Sequence, residues 1–136
     1  MGSSLNPTST DEEKDYSFEV GFFEDLSRRN SKDLRVLEVL AHYYTKSGRV
    51  GEGLRVDRRI VRQDPDNPVA HYNLACSLAL RNRKKEAVES LENAIKRGYR
   101  DISWMLNDED LKNLREYRPF VVLIERVRKH LEGGVA

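Results

Sequence analysis

The sequence predicts an all-α fold, and three observations point to it. Apolar residues recur at the i, i+3, i+4 and i+7 spacing of a helix along most of the 136-residue chain. No segment shows a convincing period of two, which a half-buried strand would have. Two stretches that each have the pattern of a helix pair superpose at an offset of 34 residues. Together these patterns predict one domain of stacked helix pairs, long enough to bury a modest core.

The sequence pattern predicts a tail followed by two helices in the N-terminal part of the chain. Residues 1–15 are small, polar and acidic, and we expect them to form a solvated, disordered tail. Apolar residues return at helical spacing from about Tyr16. The second helix begins after Asp33, a good N-cap, and ends at Gly48, which can adopt the left-handed conformation. The apolar positions are Val20, Phe23 and Leu26 in the first helix, and Leu37, Leu40, Ala41 and Tyr44 in the second.

Three further helices are predicted in the middle of the chain. The third ends at Asp64-Pro65, and the fourth begins with Asn67 as N-cap and Pro68 in the first turn. Asn82, which tolerates the left-handed conformation, lies in the turn before the fifth. Their apolar positions are Leu54, Ile60 and Val61, then His71, Leu74, Ala75 and Leu78, then Ala87, Leu91, Ala94 and Ile95.

The C-terminal run Phe120–Ile124 is ambiguous by propensity, since it would also suit a strand. Pro119 before it favours a helix, because proline is common in a first helical turn. The apolar spacing Phe120, Leu123, Val127 and Leu131 continues over three turns and also favours a helix, which Gly133-Gly134 would end.

The offset of 34 residues matches positions by side-chain size rather than by identity. Large residues fall where a side chain must reach the neighbouring helix, and small residues fall where two helix axes must approach closely. The equivalent pairs include Leu40 and Leu74, Ala41 and Ala75, Gly48 and Asn82, Gly53 and Ala87, and Val61 and Ile95.

These repeats resemble the tetratricopeptide repeat family, which has large residues in the first helix of each repeat, a small residue early in the second, and a closing proline. The first repeat covers residues 34–67 and the second 68–101. Asp57 departs from the family pattern where a large apolar or aromatic residue is usual, and Tyr99 replaces the closing proline. The matching positions are Leu37, Leu40, Ala41, Tyr44, Gly53, Ile60 and Pro65, then His71, Leu74, Ala75, Leu78, Ala87, Leu91 and Ala94.

The resemblance extends over about residues 16–132 and implies a right-handed helix-turn-helix solenoid of about two full repeats. Residues 16–33 align with the second helix of a repeat, and we expect this half-repeat to form an N-terminal cap. Residues 98–120 resemble the ending of bacterial members of the family, and residues 102–132 are expected to form the C-terminal cap. There, short turns around Trp104 and 108–114 are expected to cover the last apolar face before a final helix.

In this family, peptides bind an inner groove through first-helix residues that flank the packing stripe. The resemblance therefore implies a protein-interaction module, an adaptor or scaffold whose partner is a protein or peptide. One family variant clamps terminal carboxylates with Lys and Asn, but Glu38 stands at one of those places and would repel a carboxylate. The groove residues implied here are Arg35, Glu38, His42, Thr45, Val69, Tyr72, Asn73, Cys76 and Leu80, with Tyr72 offering a flat ring and Asn73 an amide.

Other functional classes find little support. Lys and Arg total 24 against 23 Asp and Glu, so a net charge of +1 gives no global attraction to nucleic acid or anionic membranes. The single cysteine, Cys76, excludes an intramolecular disulfide, and a His42–Cys76 metal pair lacks a third ligand. His71 lies on a packing stripe, and the basic run 81–85 has only Tyr99 near it for stacking, which favours a solvated turn.

The residues also show no Gly-rich phosphate loop, no HExxH, and no nucleophile beside a base, so we expect neither an enzyme nor a metal or cofactor site. No signal peptide or membrane-spanning stretch is evident, which predicts a cytoplasmic protein. Two alternatives to the adaptor remain open. One is an assembly segment that forms homo-oligomers through an uncapped end, and the other is a regulatory domain of a larger protein.

Overall fold

The computed structural model describes residues 14–133, and in this range the chain forms helices joined by short turns, with no strand. The predicted all-α class is therefore confirmed. The helices are α1 (Ser17–Arg29), α2 (Leu34–Lys46), α3 (Val50–Gln63), α4 (Pro68–Leu80), α5 (Lys84–Lys96), α6 (Ile102–Asn107) and α7 (Arg118–Gly133), with a 3₁₀ helix at Glu109–Leu114 between the last two.

The ends of the central helices follow the local signals in the sequence. The side chain of Asp33 accepts hydrogen bonds from two first-turn amides of α2, and the side chain of Asn67 does the same for α4. Gly48 after α2 has a φ of 84°, and Asn82 after α4 has a φ of 60°, both in the left-handed region. Caps and turns thus repeat at the offset that the sequence predicts.

Consecutive helices from α1 to α5 pack each against the next, while α4 also contacts the 3₁₀ helix and α5 contacts α7. Small residues permit close approach at these contacts, and Ala75, Ala87 and Ala94 have no exposed surface. At the position equivalent to Ala87, a Cβ on Gly53 would lie 2.9 Å from Thr45 Oγ1, closer than the two atoms can approach. The small-residue positions of the predicted repeat therefore lie where helices meet.

The C-terminal segment consists of two short helices, α6 and the 3₁₀ helix, and the longer helix α7, and all three contribute buried residues to the core. Met105, Leu111 and Leu114 are almost fully buried and cover the apolar faces of α4 and α5. The helix predicted at Phe120–Ile124 is confirmed as part of α7. Leu131 is the exception on its stripe, since it is 37% exposed and borders an open groove between α5 and α7.

At the N-terminal end, residues 1–13 of the predicted tail lie outside the described residues. Asp15, just before α1, accepts a hydrogen bond from the backbone N–H of Ser17 at 2.9 Å, and this bonding lowers the pKa of the Asp15 carboxyl. Within residues 14–133, every helix is too short or too polar to cross a membrane.

Candidate functional site

A cleft of about 300 Å³ lies between α2 and α4, bordered by the segment that links α6 to the 3₁₀ helix. We call it the α2–α4 cleft. The first helices of the two predicted repeats, α2 and α4, form its long sides, so residues one repeat apart lie near one another across it. Its lining residues are Glu38, Ala41, His42 and Thr45 of α2, Asp57 of α3, Tyr72, Asn73, Cys76, Ser77 and Leu80 of α4, and Trp104, Asp108 and Asp110 beyond them.

Most of the residues implied by the family resemblance line this cleft. The structure brings together Glu38, His42, Thr45, Tyr72, Asn73, Cys76 and Leu80. Arg35 and Val69 do not line it. Both are exposed in the first turns of α2 and α4, because the cleft begins about one turn further along each helix.

The ring of Tyr72 is not available to a ligand in the way that the family resemblance implies. The residue is only 5% exposed, and its ring stacks on that of Tyr99 with centroids 4.5 Å apart and planes 3° apart. Its hydroxyl donates a hydrogen bond to Asp108 Oδ2 at 2.6 Å. Burial is the main cause that raises the pKa of the Tyr72 hydroxyl, and this hydrogen bond is the second. The expectation of an exposed aromatic anchor at Tyr72 is therefore wrong, since this side chain joins α4 to the C-terminal segment.

Cys76 lies one turn after Tyr72 and faces the same carboxylate. Its Sγ is 3.7 Å from Asp108 Oδ2, and the possible ligand atoms of Cys76, Asp108 and Asp110 all lie within 4.8 Å of one another. Burial, reinforced by the two carboxylates, raises the pKa of the thiol, which keeps it protonated and makes it a poor nucleophile and a poor metal ligand. His42 lines the cleft too but is not part of this cluster.

Asp57 is the most unusual side chain of the cleft. It is 6% exposed on α3, and the Ser77 hydroxyl donates a hydrogen bond to its Oδ2. Burial raises the pKa of this carboxyl to about 7, and the Ser77 bond opposes the shift only in part. Among residues 14–133 no cation forms an ion pair with Asp57. In the sequence, Asp57 stands out as a departure from the family pattern, and the structure shows it to be a buried acid at a packing position.

Trp104 is the functional candidate that the sequence analysis missed. The turn around Trp104 is expected to cover the last apolar face, and Ile102 and Met105 are its buried residues in α6. Trp104 itself is 60% exposed and lines the cleft. The carboxylate of Asp101 accepts a hydrogen bond from the Trp104 backbone N–H at 3.0 Å, which fixes the start of the helix that carries it.

His71 and two residues of the basic run, Arg83 and Lys84, have structural partners. His71 is buried, with its Nε2 2.7 Å from the carbonyl oxygen of Pro65, as its place on the packing stripe predicts. In the basic run, Arg83 pairs with Glu86 at 2.7 Å, and the Lys84 ammonium lies 5.7 Å from the centroid of the Tyr117 ring.

The comparisons with known proteins give one partial relative. No protein-family model matches the chain, and no solved structure matches it. A chloroplastic protein from Arabidopsis thaliana is 30% identical over 86 residues, which cover 61% of this chain and 26% of that protein. The chain therefore spans well under half the length of this curated relative.

Proposed function

We propose that this chain is a protein-interaction module of the tetratricopeptide type, which holds an extended peptide segment of a partner protein in the α2–α4 cleft. Its proposed architecture is a short right-handed solenoid, with α2–α3 and α4–α5 as repeats, α1 as a half-repeat, and α6 to α7 as the C-terminal cap. Repetition of caps, turns and small contact residues at one offset supports this architecture.

The composition of the cleft is the observation that carries the proposal. Trp104 and Leu80 offer exposed apolar surface, at 60% and 39% exposure. Asn73 is exposed beside them and supplies an amide that can pair with a peptide backbone. Exposed aromatic and aliphatic anchors with convergent polar groups are typical of peptide-binding surfaces.

A binding role also suits the chemistry of the cleft better than catalysis does. The Cys76 thiol is held protonated next to carboxylates, and the Ser77 hydroxyl donates to the Asp57 carboxyl, while no histidine or lysine within residues 14–133 hydrogen-bonds to that hydroxyl. We therefore propose a non-enzymatic adaptor or scaffold. A cytoplasmic location stays a prediction from the sequence, while the name of the Arabidopsis relative places that protein in the chloroplast.

Selection from a random peptide library displayed on phage tests this proposal. We expect the immobilised protein to enrich a defined peptide family, and Asn73→Arg to abolish the enrichment because its long side chain fills the cleft. Lys85→Glu is the matched control, since Lys85 is exposed in the basic run outside the cleft. Enrichment that persists in Asn73→Arg but disappears in Lys85→Glu would contradict the proposal. It would indicate that peptides bind at the basic run 81–85.

Self-assembly is a second candidate, favoured by an aromatic patch at the N-terminal end. Phe18 and Phe22 on α1 are 76% and 48% exposed, and their rings stack with centroids 6.0 Å apart. Large exposed apolar groups of this kind often mark protein contacts. Light scattering on the wild type and on a Phe18→Ser, Phe22→Ser double variant separates the two candidates. A wild type that is dimeric and a double variant that is monomeric would favour self-assembly.

A further inference from the structure

The α2–α4 cleft has a charge opposite to that of the whole chain. Its acidic lining residues are Glu38, Asp57, Asp108 and Asp110, and no lysine or arginine of residues 14–133 lines it. The chain as a whole carries a formal charge of +1. A concave surface with carboxylates on several sides concentrates the electrostatic field and attracts cations.

The two carboxylates beyond α4 differ in their surroundings: Asp108 accepts hydrogen bonds from Tyr72 and Cys76 and from the backbone N–H of Asp110, whereas Asp110 is mainly burdened by burial. Burial, with smaller contributions from the neighbouring Asp108 and Glu109, raises the pKa of Asp110, and only Lys46 opposes that shift. Asp110 and Asp108 share the 4.8 Å cluster, where two negative charges repel each other. A positive group placed between them would relieve this repulsion.

Asp57 adds a deeply buried carboxyl to the lining of the cleft. Its side chain is more than nine-tenths buried and lines the cleft, yet only Oδ2 has a hydrogen-bond donor, Ser77. Within residues 14–133 no group donates a hydrogen bond to its Oδ1 and no cation pairs with it. A cation bound beside this carboxyl would favour its ionised form and would add a further negative group to the cleft.

Trp104 adds the apolar surface that a long cationic side chain requires. Its exposed indole and the exposed part of Leu80 line the same cleft as the carboxylates. Lysine and arginine pack their aliphatic stems on apolar surface and keep the charged end in a polar setting. A tryptophan face also attracts the cation itself.

We propose that the α2–α4 cleft recognises a lysine or arginine side chain of the bound peptide, with its stem against Trp104 and Leu80 and its charged end among Asp57, Asp108 and Asp110. This inference rests on the proposed peptide-binding function and specifies the chemistry of the ligand. A bare metal ion fits less well, because Asp57 and Glu38 lie outside the cluster of converging ligand atoms and the cleft, at about 300 Å³, is much larger than an ion.

Tryptophan fluorescence tests the inference directly, since Trp104 is the only tryptophan of the chain. The probes are three short capped Gly/Ser peptides with one central residue: lysine, norleucine, which has a similar stem without the charge, or glutamate. We expect the lysine peptide to shift the emission saturably and to bind about tenfold more tightly than the norleucine peptide. The glutamate peptide should cause no shift.

Variants assign the effect to the carboxylates. At pH 8, where the Asp57 carboxyl is ionised, Asp57→Asn and Asp110→Asn should each weaken binding of the lysine peptide about threefold to tenfold. The control Glu89→Gln on the exposed surface of α5 should leave it unchanged. Sodium chloride should weaken binding gradually. Magnesium or calcium chloride should do no more than sodium chloride at equal ionic strength.

Three results would overturn the inference. Equal binding of the lysine and norleucine peptides would leave a peptide cleft without cation recognition, so the proposed function would survive. An emission shift by calcium or magnesium alone, lost in Asp110→Asn, would assign the carboxylates to a metal. No response to any of the three peptides would remove the cation proposal, and the phage selection would then decide on peptide binding by itself.

Discussion

Replacing Asp57 by asparagine should stabilise the protein, with a gain that grows with pH. Burial raises the pKa of the Asp57 carboxyl from 3.8 to about 7, so between these values the folded state holds a proton that the unfolded state releases. The stability of the wild type therefore falls as pH rises through this window, and the fall levels off above about pH 7. Asparagine has no proton to lose and keeps an oxygen that can accept the hydrogen bond from Ser77.

The size of the gain follows from the pKa displacement. A shift of about three pH units corresponds to about 4 kcal/mol in the free energy of unfolding, at about 1.4 kcal/mol per unit. We expect Asp57→Asn to match the wild type near pH 4 and to exceed it by about 2–4 kcal/mol near pH 8. Comparing the two proteins at each pH cancels the contributions of all other titrating groups.

Urea denaturation followed by circular dichroism over this pH range measures the difference. Glu89→Gln is the matched control, because its exposed carboxylate should give a difference near zero at every pH. A constant difference between Asp57→Asn and the wild type, or a loss of stability at high pH, would refute the reasoning. It would mean that Asp57 is ionised and compensated in the folded protein. Stabilisation together with weaker binding of a cationic peptide would mark Asp57 as a residue retained for function.

Three further changes test the packing, each by urea denaturation near neutral pH. Ala75→Leu should destabilise by about 1–3 kcal/mol, because Ala75 has no exposed surface and added methylenes overpack the helix contact; unchanged stability would mean that the repeat register is wrong. Tyr72→Phe should destabilise by about 1–3 kcal/mol, because it removes the hydroxyl that donates to Asp108 while keeping the ring stack; a neutral result would mean that water replaces this bond. Asn67→Ala should cost about 1 kcal/mol through loss of the cap of α4, and no effect would place the cap elsewhere.

The all-α class, the helix bounds and the small contact residues could be predicted because they depend on local chemistry. The caps at Asp33 and Asn67 and the left-handed turns at Gly48 and Asn82 each involve residues within one or two turns. The helical period likewise places Ala75 on the packing face from its immediate neighbours alone. Such features are encoded over a few residues, so one sequence suffices to find them.

The details of the cleft depend on residues that are distant in the chain. Tyr72 is buried because Tyr99 stacks on it and Asp108, 36 residues away, accepts its hydrogen bond, and neither partner follows from the period of α4. Trp104 is exposed because α6 turns its other side chains inward, which depends on how the C-terminal segment packs on α4 and α5. Seven of the nine residues implied by the family resemblance line one cleft, whereas the exposure of Trp104 and the acidic lining depend on packing that the sequence pattern does not reveal.

Backbone amide NMR during titration with the peptide selected from the phage library tests the central claim most directly, that ligands bind in the α2–α4 cleft. Shifts should concentrate at the lining residues, with the largest at His42, Asn73, Leu80 and Trp104. Shifts at Phe18 and Phe22, or along the groove between α5 and α7, with the cleft unchanged, would contradict the account and move the binding surface to an end of the helix stack.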